Sequence, residues 1–308
     1  MTGAALPEHA DLIVPVERIT VNEHGAHVEA NYEARRRQFV HARGSDHTQG
    51  TELLKPGTRI SPMDVAILAS AGLSEVDVAK SPTVRVISTG NELVAAGEPI
   101  ADHQVRLSNG PAIVAMLGAH GYRDAEHEHL ADDPEILEAR IAEHLDAADV
   151  LVLSGGVSMG KADFVPQVLK DLGVELVFHK ITQRPGKPMW FGKGTKGQFV
   201  FALPGNPVST LVCCRQYVVP ALRDIEGEPP PPREFASLTQ AVTFKPRLTN
   251  FLPVRTVSST GADLLAMPSP TNTSGDFAAL SGTAGYVVLD RNTTEFPAGT
   301  VVPLVRWR

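Results

Sequence analysis

Side chains suited to ligand binding or catalysis gather in three short segments of the 308-residue chain: "STGNEL" at 88–93, "SGGVSMGKAD" at 154–163 and "LPGNPVS" at 203–209. In the second, Gly155, Gly156 and Gly160 let the backbone reach positive φ and approach a ligand closely, while free N–H groups near a helix start would hold phosphate oxygens, and Ser154 and Ser158 of the same loop are counted among the cofactor-binding residues. It is no P-loop, because Gly160-Lys161 lacks the preceding spacing and the following Ser or Thr. Alone it reads equally as a tight turn. Glu92 and Asp163 sit on two neighbouring loops, where they would position a divalent metal or polarise a ligand group. Taken singly, each also reads as a helix cap or a solvated acid. Pro204 and Pro207 flank Gly205-Asn206 and fix a rigid turn. In "HKITQRPGK", Lys180, Arg184 and Lys187 lie on a segment stiffened by Pro185 and Pro188, and three cations there suit an oxyanion or a phosphorylated substrate. His127 and His129 of "EHEHL" fall on one strand face, predicted to be solvated, and are assigned no metal.

The elements that position these loops follow from periodicity. "TVRVIST", "YRDAEHEH", "DVLVLS", "VELVF" and "QFVFALP" read as strands. "NGPAIVAMLGAHG", "DDPEILEARIAEHLDA", "ADFVPQVLKDLG" interrupted at Pro166, and "NPVSTLVCCRQYVVPALRDI" read as helices, the second capped by Asp132 or Asp133. Strands alternating with helices give a doubly wound α/β domain over residues 82–228 with a mostly parallel sheet. Ligands bind such sheets outside the carboxyl ends of the strands, which is where the three loops fall. Four prolines at 229–232 mark a boundary. Residues 229–308 then carry short β-type runs and predict a small β-barrel domain. Residues 1–43, with "LIVPVE", "GAHVEA" and "RRQFVHA", predict part of a β-rich domain. A connector over 44–81 holds a helix capped by Ser61 and stopped at Gly72.

Composition narrows the function classes. A net charge of −7 argues against a general nucleic-acid binder. The absence of a signal-peptide pattern and of any run of 18 apolar residues predicts a soluble, cytoplasmic protein without a membrane span. The two cysteines, Cys213 and Cys214, are adjacent in an apolar stretch and read as buried, reduced thiols.

In order and spacing, "STGNEL", "SGGVSMGKADF", "RPGKPMWFG" and "LPGNPVS" resemble the molybdopterin molybdenumtransferase family, that of MoeA and the catalytic domain of gephyrin. "MTGAALPEHAD", "ELLKPGTRISPMDVAILASAG" and "PTNTSGDFAAL" extend the resemblance over nearly the whole chain. It implies an enzyme of molybdenum cofactor biosynthesis that inserts molybdate into adenylylated molybdopterin with release of AMP, assisted by Mg²⁺. It assigns ligand or catalytic roles to Thr2, Glu92, Asp132, Asp163, Lys180, Arg184, Pro204, Pro207, Arg255 and Ser274, with Glu92 and Asp163 as metal ligands. It also implies a homodimer that meets molybdopterin adenylyltransferase and apo-molybdoenzymes.

The chain departs from the family pattern at Asn91, where Asp is usual, at Arg184, where Lys is common, and at Lys161, where an acid is common. The family's "S-x-MDGYA" motif, whose Asp the resemblance assigns to metal insertion, is absent from this sequence. Two alternatives follow. One is a truncated module that binds the pterin nucleotide or acts as a scaffold without turnover. The other is a molybdopterin adenylyltransferase, which shares the "SGG" loop.

Overall fold

The computed structural model describes residues 2–156, 164–261 and 263–308, and the chain divides into two compact units, 1–55 and 56–308. In the first unit, β1 (Ile19–Asn22) and β2 (Gly25–Val28) form a hairpin in which Ile19 faces Val28 and Asn22 faces Gly25. Its two-residue turn is held by Asn22, whose Oδ1 accepts from the His24 N–H at 2.9 Å. "LIVPVE" and "RRQFVHA" were predicted as β-type runs, but neither forms a strand. Arg37 and Phe39 adopt positive φ, and the two segments share only two backbone bonds among the described residues, Ile13 N–H to the Gln38 carbonyl at 3.1 Å and Arg37 N–H to the Asp11 carbonyl at 2.7 Å. None of the described residues in this unit is buried. With no apolar face to cover, alternation could not organise a sheet here.

The second unit opens on α1 (Pro62–Ser70), which begins as predicted. The Ser61 hydroxyl accepts from the Asp64 N–H while the Asp64 carboxylate accepts from the Ser61 N–H, a reciprocal cap. After the helix, Gly72 turns the chain at φ +82°.

The α/β domain follows. Its elements are β3 (Val84–Thr89), β4 (Leu93–Val94), β5 (Val105–Arg106), α2 (Asn109–Ala119), β6 (Glu126–Leu130), α3 (Pro134–Ala147), β7 (Val150–Ser154), α4 (Val165–Asp171) and β8 (Glu175–His179). They continue with β9 (Gln183–Arg184), β10 (Trp190–Lys193), β11 (Phe199–Leu203), α5 (Pro207–Cys213) and α6 (Val219–Ile225). The sheet runs β6-β3-β7-β11-β10-β8, with β6, β3, β7 and β11 mutually parallel and β10 antiparallel to both its neighbours. Strand alternation feeds two cores. Val150 and Val152 pack with Ile113, Leu117 and Leu222 on one face, whereas Leu151 and Leu153 pack with Leu137, Ile141 and Leu169 on the other. Each fully buried aliphatic side chain contributes about 1.5–3 kcal/mol, which is why a period of two so strictly fixes register here.

Several local readings change. β6 starts at Glu126, later than the predicted "YRDAEHEH" run. Pro166 lies in the first turn of α4 and so starts that helix rather than interrupting it. The last helical run is continuous, yet it widens into a π turn at Cys214–Val218, where the Val219 N–H reaches the Cys214 carbonyl. That turn falls where Pro220 lacks an N–H and crowds the preceding carbonyl. Of the two candidate caps on α3, Asp133 takes the role, accepting from the Glu135 and Ile136 N–H groups at 2.9 and 3.1 Å. β10 was not predicted; its Trp190, Phe191 and Gly192 pair with β11 through a short turn at 194–197.

The C-terminal part is a closed five-stranded barrel, as predicted. It comprises β12 (Glu234–Leu238), a short β13 (Val242–Thr243), β14 (Thr249–Ser258), β15 (Leu264–Pro268), β16 (Gly285–Leu289), a short β17 (Glu295–Phe296) and β18 (Val301–Arg306). The order β15-β12-β18-β16-β14 closes through the β14–β15 pairing, and β9 of the preceding domain adds to β14 at Thr249 and Asn250. Alternate residues such as Leu252, Val254, Val287 and Leu304 fill its interior. No helix among the described residues is long and apolar enough to cross a membrane.

Candidate functional site

The order in which strands are added reverses between β3 and β7, since β6 lies to one side of β3 and β7 and β11 to the other. That is the topological switch point, and a cleft of about 670 Å³ opens there at the strands' carboxyl ends. Its walls come from the three segments singled out in the sequence: Thr89 and Glu92 after β3, Ser154 and Gly155 after β7, and the Pro204–Pro207 turn after β11.

Gly155 is needed by its backbone. It has φ +100°, and a Cβ there would lie 2.6 Å from the Thr89 carbonyl oxygen. Gly156 follows at φ +65°. A Cβ on Gly205 would lie 3.7 Å from the Gly155 Cα, and the Gly155 N–H reaches the Leu203 carbonyl at 3.4 Å, so the second and third loops are neighbours across the cleft floor. After β3, Gly90 has φ +147° and a Cβ built on it would meet the Glu92 carboxylate at 2.7–2.9 Å; the acid folds back over the glycine. Thr89 is 3% exposed and its hydroxyl has no hydrogen-bond partner among the described residues.

The first turn of α2 supplies the link between loops. Asn109 donates from Nδ2 to the Ser154 hydroxyl at 2.9 Å and to the Gly205 carbonyl at 2.7 Å. Beside it, a Cβ on Gly110 would lie 2.0 Å from Nε2 of His127, whose ring reaches the Ser88 hydroxyl at 3.0 Å. His127 is therefore not on a solvated face as predicted, and burial followed by the nearby His129 holds its pKa below the ordinary value. The His129 ring sits 2.8 Å from the Gly90 carbonyl. Neither Asn109 nor His127 was assigned to the site from sequence. The Asn-Gly pair at a helix start following the "QVRL" run was the available signal.

A second cleft, of about 680 Å³, lies alongside between the "RPGKP" segment and the barrel. Arg184, Lys187 and Ser274 line it, and Pro188 and Asn206 line both clefts. The Ser274 carbonyl is tied to the start of α5, accepting from the Val208 N–H at 3.0 Å.

Asp132 stands against the first loop: its N–H donates to the Asn91 side chain at 3.0 Å, and its carboxylate accepts from the Asn91 N–H at 3.4 Å. Asn91, a departure from the family pattern, thus joins the ends of β3 and β6. Lys180 adopts φ +69°, its N–H bonded to the Met189 carbonyl at 2.8 Å, and it lines neither cleft. Arg255 is exposed on β14 beside Gly282. Thr2 lies in an exposed turn of the first unit. Ser158, Gly160, Lys161 and Asp163 lie outside the described residues. Cys213 and Cys214 are free and buried, as predicted. Among the described residues, no group of three His, Cys, Asp or Glu side chains is arranged to hold a metal by itself.

Comparison with known proteins gives a consistent result along the whole chain. Residues 85–224 match the family described as "Probable molybdopterin binding domain", residues 1–72 the "MoeA N-terminal region (domain I and II)", and residues 236–307 the "MoeA C-terminal region (domain IV)". A protein of Synechocystis sp. named molybdopterin molybdenumtransferase is 35% identical over 308 residues, all of this chain and 76% of that protein. One of the same name from Staphylococcus aureus is 30% identical over 308 residues, 99% of this chain and 72% of that protein. Among solved structures, the molybdopterin biosynthesis MoeA protein from Pyrococcus horikoshii superposes with a TM-score of 0.77 at 30% identity, covering 99% of this chain and 74% of that one. Shared sequence over the full chain, a shared fold, and a cleft at the switch point of its molybdopterin-binding part together make this chain a member of the molybdopterin molybdenumtransferase family.

Proposed function

We propose that this chain is a transferase of molybdenum cofactor biosynthesis that inserts molybdate into the dithiolene of adenylylated molybdopterin and releases AMP. The observation that carries the reading is the cleft at the β3–β7 switch point, where three loops and the first turn of α2 converge in a chain that matches the family from end to end. In this reading the pterin nucleotide lies in the first cleft. The Gly155 N–H is held by the Leu203 carbonyl at 3.4 Å, so the Gly156 N–H is the proposed donor to its phosphates, since glycine leaves it unshielded. The rigid Pro204–Pro207 turn orients the pterin end, and Asn206 and Pro188 lead into the second cleft.

Arg184 and Lys187, which line the second cleft, are proposed to hold molybdate as an oxyanion. Their charges favour it, and proline-stiffened backbone lowers the cost of keeping two cations together. Each molybdenum–sulfur bond formed at the dithiolene replaces a molybdenum–oxygen bond, the oxygen leaving as water with the thiol proton and one proton from solvent, and this is coupled to cleavage of the phosphoanhydride, with the elements of water added across that bond and no change of oxidation state. Ser274, which also lines the second cleft, is proposed to contact the oxyanion. Lys180, Arg255, Asp132 and Thr2 keep the roles that the resemblance assigns to them, as proposals.

The donor set suits Mg²⁺, which is commonly held by one or two carboxylates together with substrate phosphates. Glu92 at the cleft wall and Asp163 are the proposed ligands. When bound, the ion would neutralise the developing charge on the anhydride oxygens. A cytoplasmic homodimer that exchanges its substrate and product with adenylyltransferase and apo-molybdoenzymes belongs to the same proposal.

The test is incubation with adenylylated molybdopterin, molybdate and Mg²⁺, followed by chromatography for AMP and by activation of an apo-molybdoenzyme. AMP release with activation supports the transferase. Binding of the nucleotide without release supports a non-catalytic module instead, and AMP transfer from ATP to molybdopterin would point to an adenylyltransferase.

A further inference from the structure

The N-terminal turn of α2 bonds to the end of β7 and to the turn after β11, and reaches β3 through His127 of β6, although no residue of it was assigned a role. We propose that Asn109 is a positioning residue for the pterin nucleotide: its carboxamide sets the spacing between the phosphate-facing turn after β7 and the proline-bounded turn after β11. The inference rests on the proposed function for the identity of the ligand and adds a residue to it.

The geometry has three parts. Asn109 spends both protons of its amide across the cleft floor, one on the Ser154 hydroxyl at 2.9 Å and one on the Gly205 carbonyl at 2.7 Å. One acceptor ends β7 and the other belongs to the turn after β11, and the two segments are already neighbours, with the Gly155 N–H on the Leu203 carbonyl at 3.4 Å, so a small change in spacing alters both walls together. Ser154 is 2% exposed, and a buried hydroxyl deprived of its partner is costly, which makes the bond hard to exchange for water. The adjacent Gly110 is closely covered by the His127 ring, which in turn reaches Ser88 near the end of β3. The helix start therefore cannot slide without disturbing the first strand end too. Asn suits this task better than Asp, because a carboxylate would face the Gly205 carbonyl with acceptor against acceptor and add negative charge beside a phosphate site.

The reading predicts a split between substrates. Molybdate is expected in the neighbouring cleft against Arg184 and Lys187, out of reach of the Asn109 contacts. Asn109→Ala should raise KM for adenylylated molybdopterin about ten-fold, the scale of two lost hydrogen bonds. KM for molybdate should stay within about two-fold. Adding Ser154→Ala to Asn109→Ala should worsen the pterin KM by less than the single effects multiplied, because both act through one bond. Asn109→Ser, which keeps one donor, should fall between wild type and Asn109→Ala and serves for the same comparison if the alanine variant does not fold. Steady-state AMP release at varied concentrations of each substrate gives these values, with thermal unfolding as the control. A pterin KM within about two-fold of wild type in the folded variants overturns the inference, and so does a parallel rise in both KM values with a large fall in melting temperature. If wild type binds the nucleotide and turns over, failure falls on Asn109 alone. If wild type neither binds nor turns over, the proposed function falls and the inference with it.

Discussion

Gly110→Ala tests the packing beneath the site in isolation from the chemistry. The new methyl carbon would lie 2.0 Å from Nε2 and 2.2 Å from Cδ2 of His127, where real Cβ contacts stay beyond 3.0 Å. The ring cannot remain, and its departure breaks the 3.0 Å contact with Ser88, which is 0% exposed. Depriving a buried hydroxyl of its partner costs about 1–3 kcal/mol. Forced repacking adds about 1–3 kcal/mol, and replacing glycine by alanine in a helix returns up to about 1 kcal/mol. The net expectation is a loss of about 2–4 kcal/mol in urea unfolding. His127→Ala should lose stability as well, but in the double variant the methyl group occupies space that the ring has vacated. The two changes should therefore be strongly non-additive, with a coupling of about 1.5 kcal/mol or more. A Gly110→Ala protein within about 0.5 kcal/mol of wild type, the range of an ordinary surface change, would refute the reasoning. Simple additivity in the double variant would refute it equally.

Other expectations concern the rest of the second unit. His120 is buried, bonds the Trp307 carbonyl and is surrounded by Arg59, Arg215 and Arg223; burial first, then the charge of Arg215, lowers its pKa from 6.5 to about 4. A depressed histidine pKa means that the folded state binds fewer protons, so the stability is present above pH 6.5 and is lost as pH falls toward 4. About 1–3 kcal/mol should disappear over that window, and His120→Gln should flatten the profile measured by urea unfolding at stepped pH. Burial raises the pKa of both cysteines, that of Cys214 to about 12, so neither should react with Ellman's reagent in the native protein at pH near 8, while both should react after denaturation. Gly285→Ala would set a Cβ 2.0 Å from the Val305 carbonyl oxygen and 2.7 Å from the Arg306 Cα. Both are backbone atoms of β18, which leaves no flexible atom to yield, and a loss of about 3 kcal/mol or failure of the barrel to close is expected by circular dichroism.

Much of this fold can be read from local pattern, because the central strands bury both faces. β7 sends Val150 and Val152 into one core and Leu151 and Leu153 into the other, which leaves a continuous apolar run in the sequence. β10 escapes notice because Trp190 to Lys193 is only four residues long and follows directly on a proline-rich turn. In the first unit the apolar run at Leu12 to Val14 looks like a strand, whereas the hairpin forms in the less apolar Ile19 to Val28 stretch. Turn chemistry at Asn22 and Gly25 decides that outcome, since nothing there is buried. The site divides in the same way. Glycines and prolines that shape the loops are visible locally. The links of Asn109, by contrast, run to residues 45 and 96 positions away, and that of His127 spans 39. Such contacts depend on which strands neighbour each other, which no local spacing records.

The central claim is that this chain couples molybdate insertion to release of AMP from the pterin nucleotide. A single-turnover experiment tests it most directly: purified protein in excess over adenylylated molybdopterin, Mg²⁺ present, molybdate added or withheld, and AMP and molybdenum-loaded cofactor both quantified. The account predicts one AMP per molybdenum inserted, dependent on molybdate. Absence of AMP at high protein concentration, or AMP appearing at the same rate without molybdate, would contradict it.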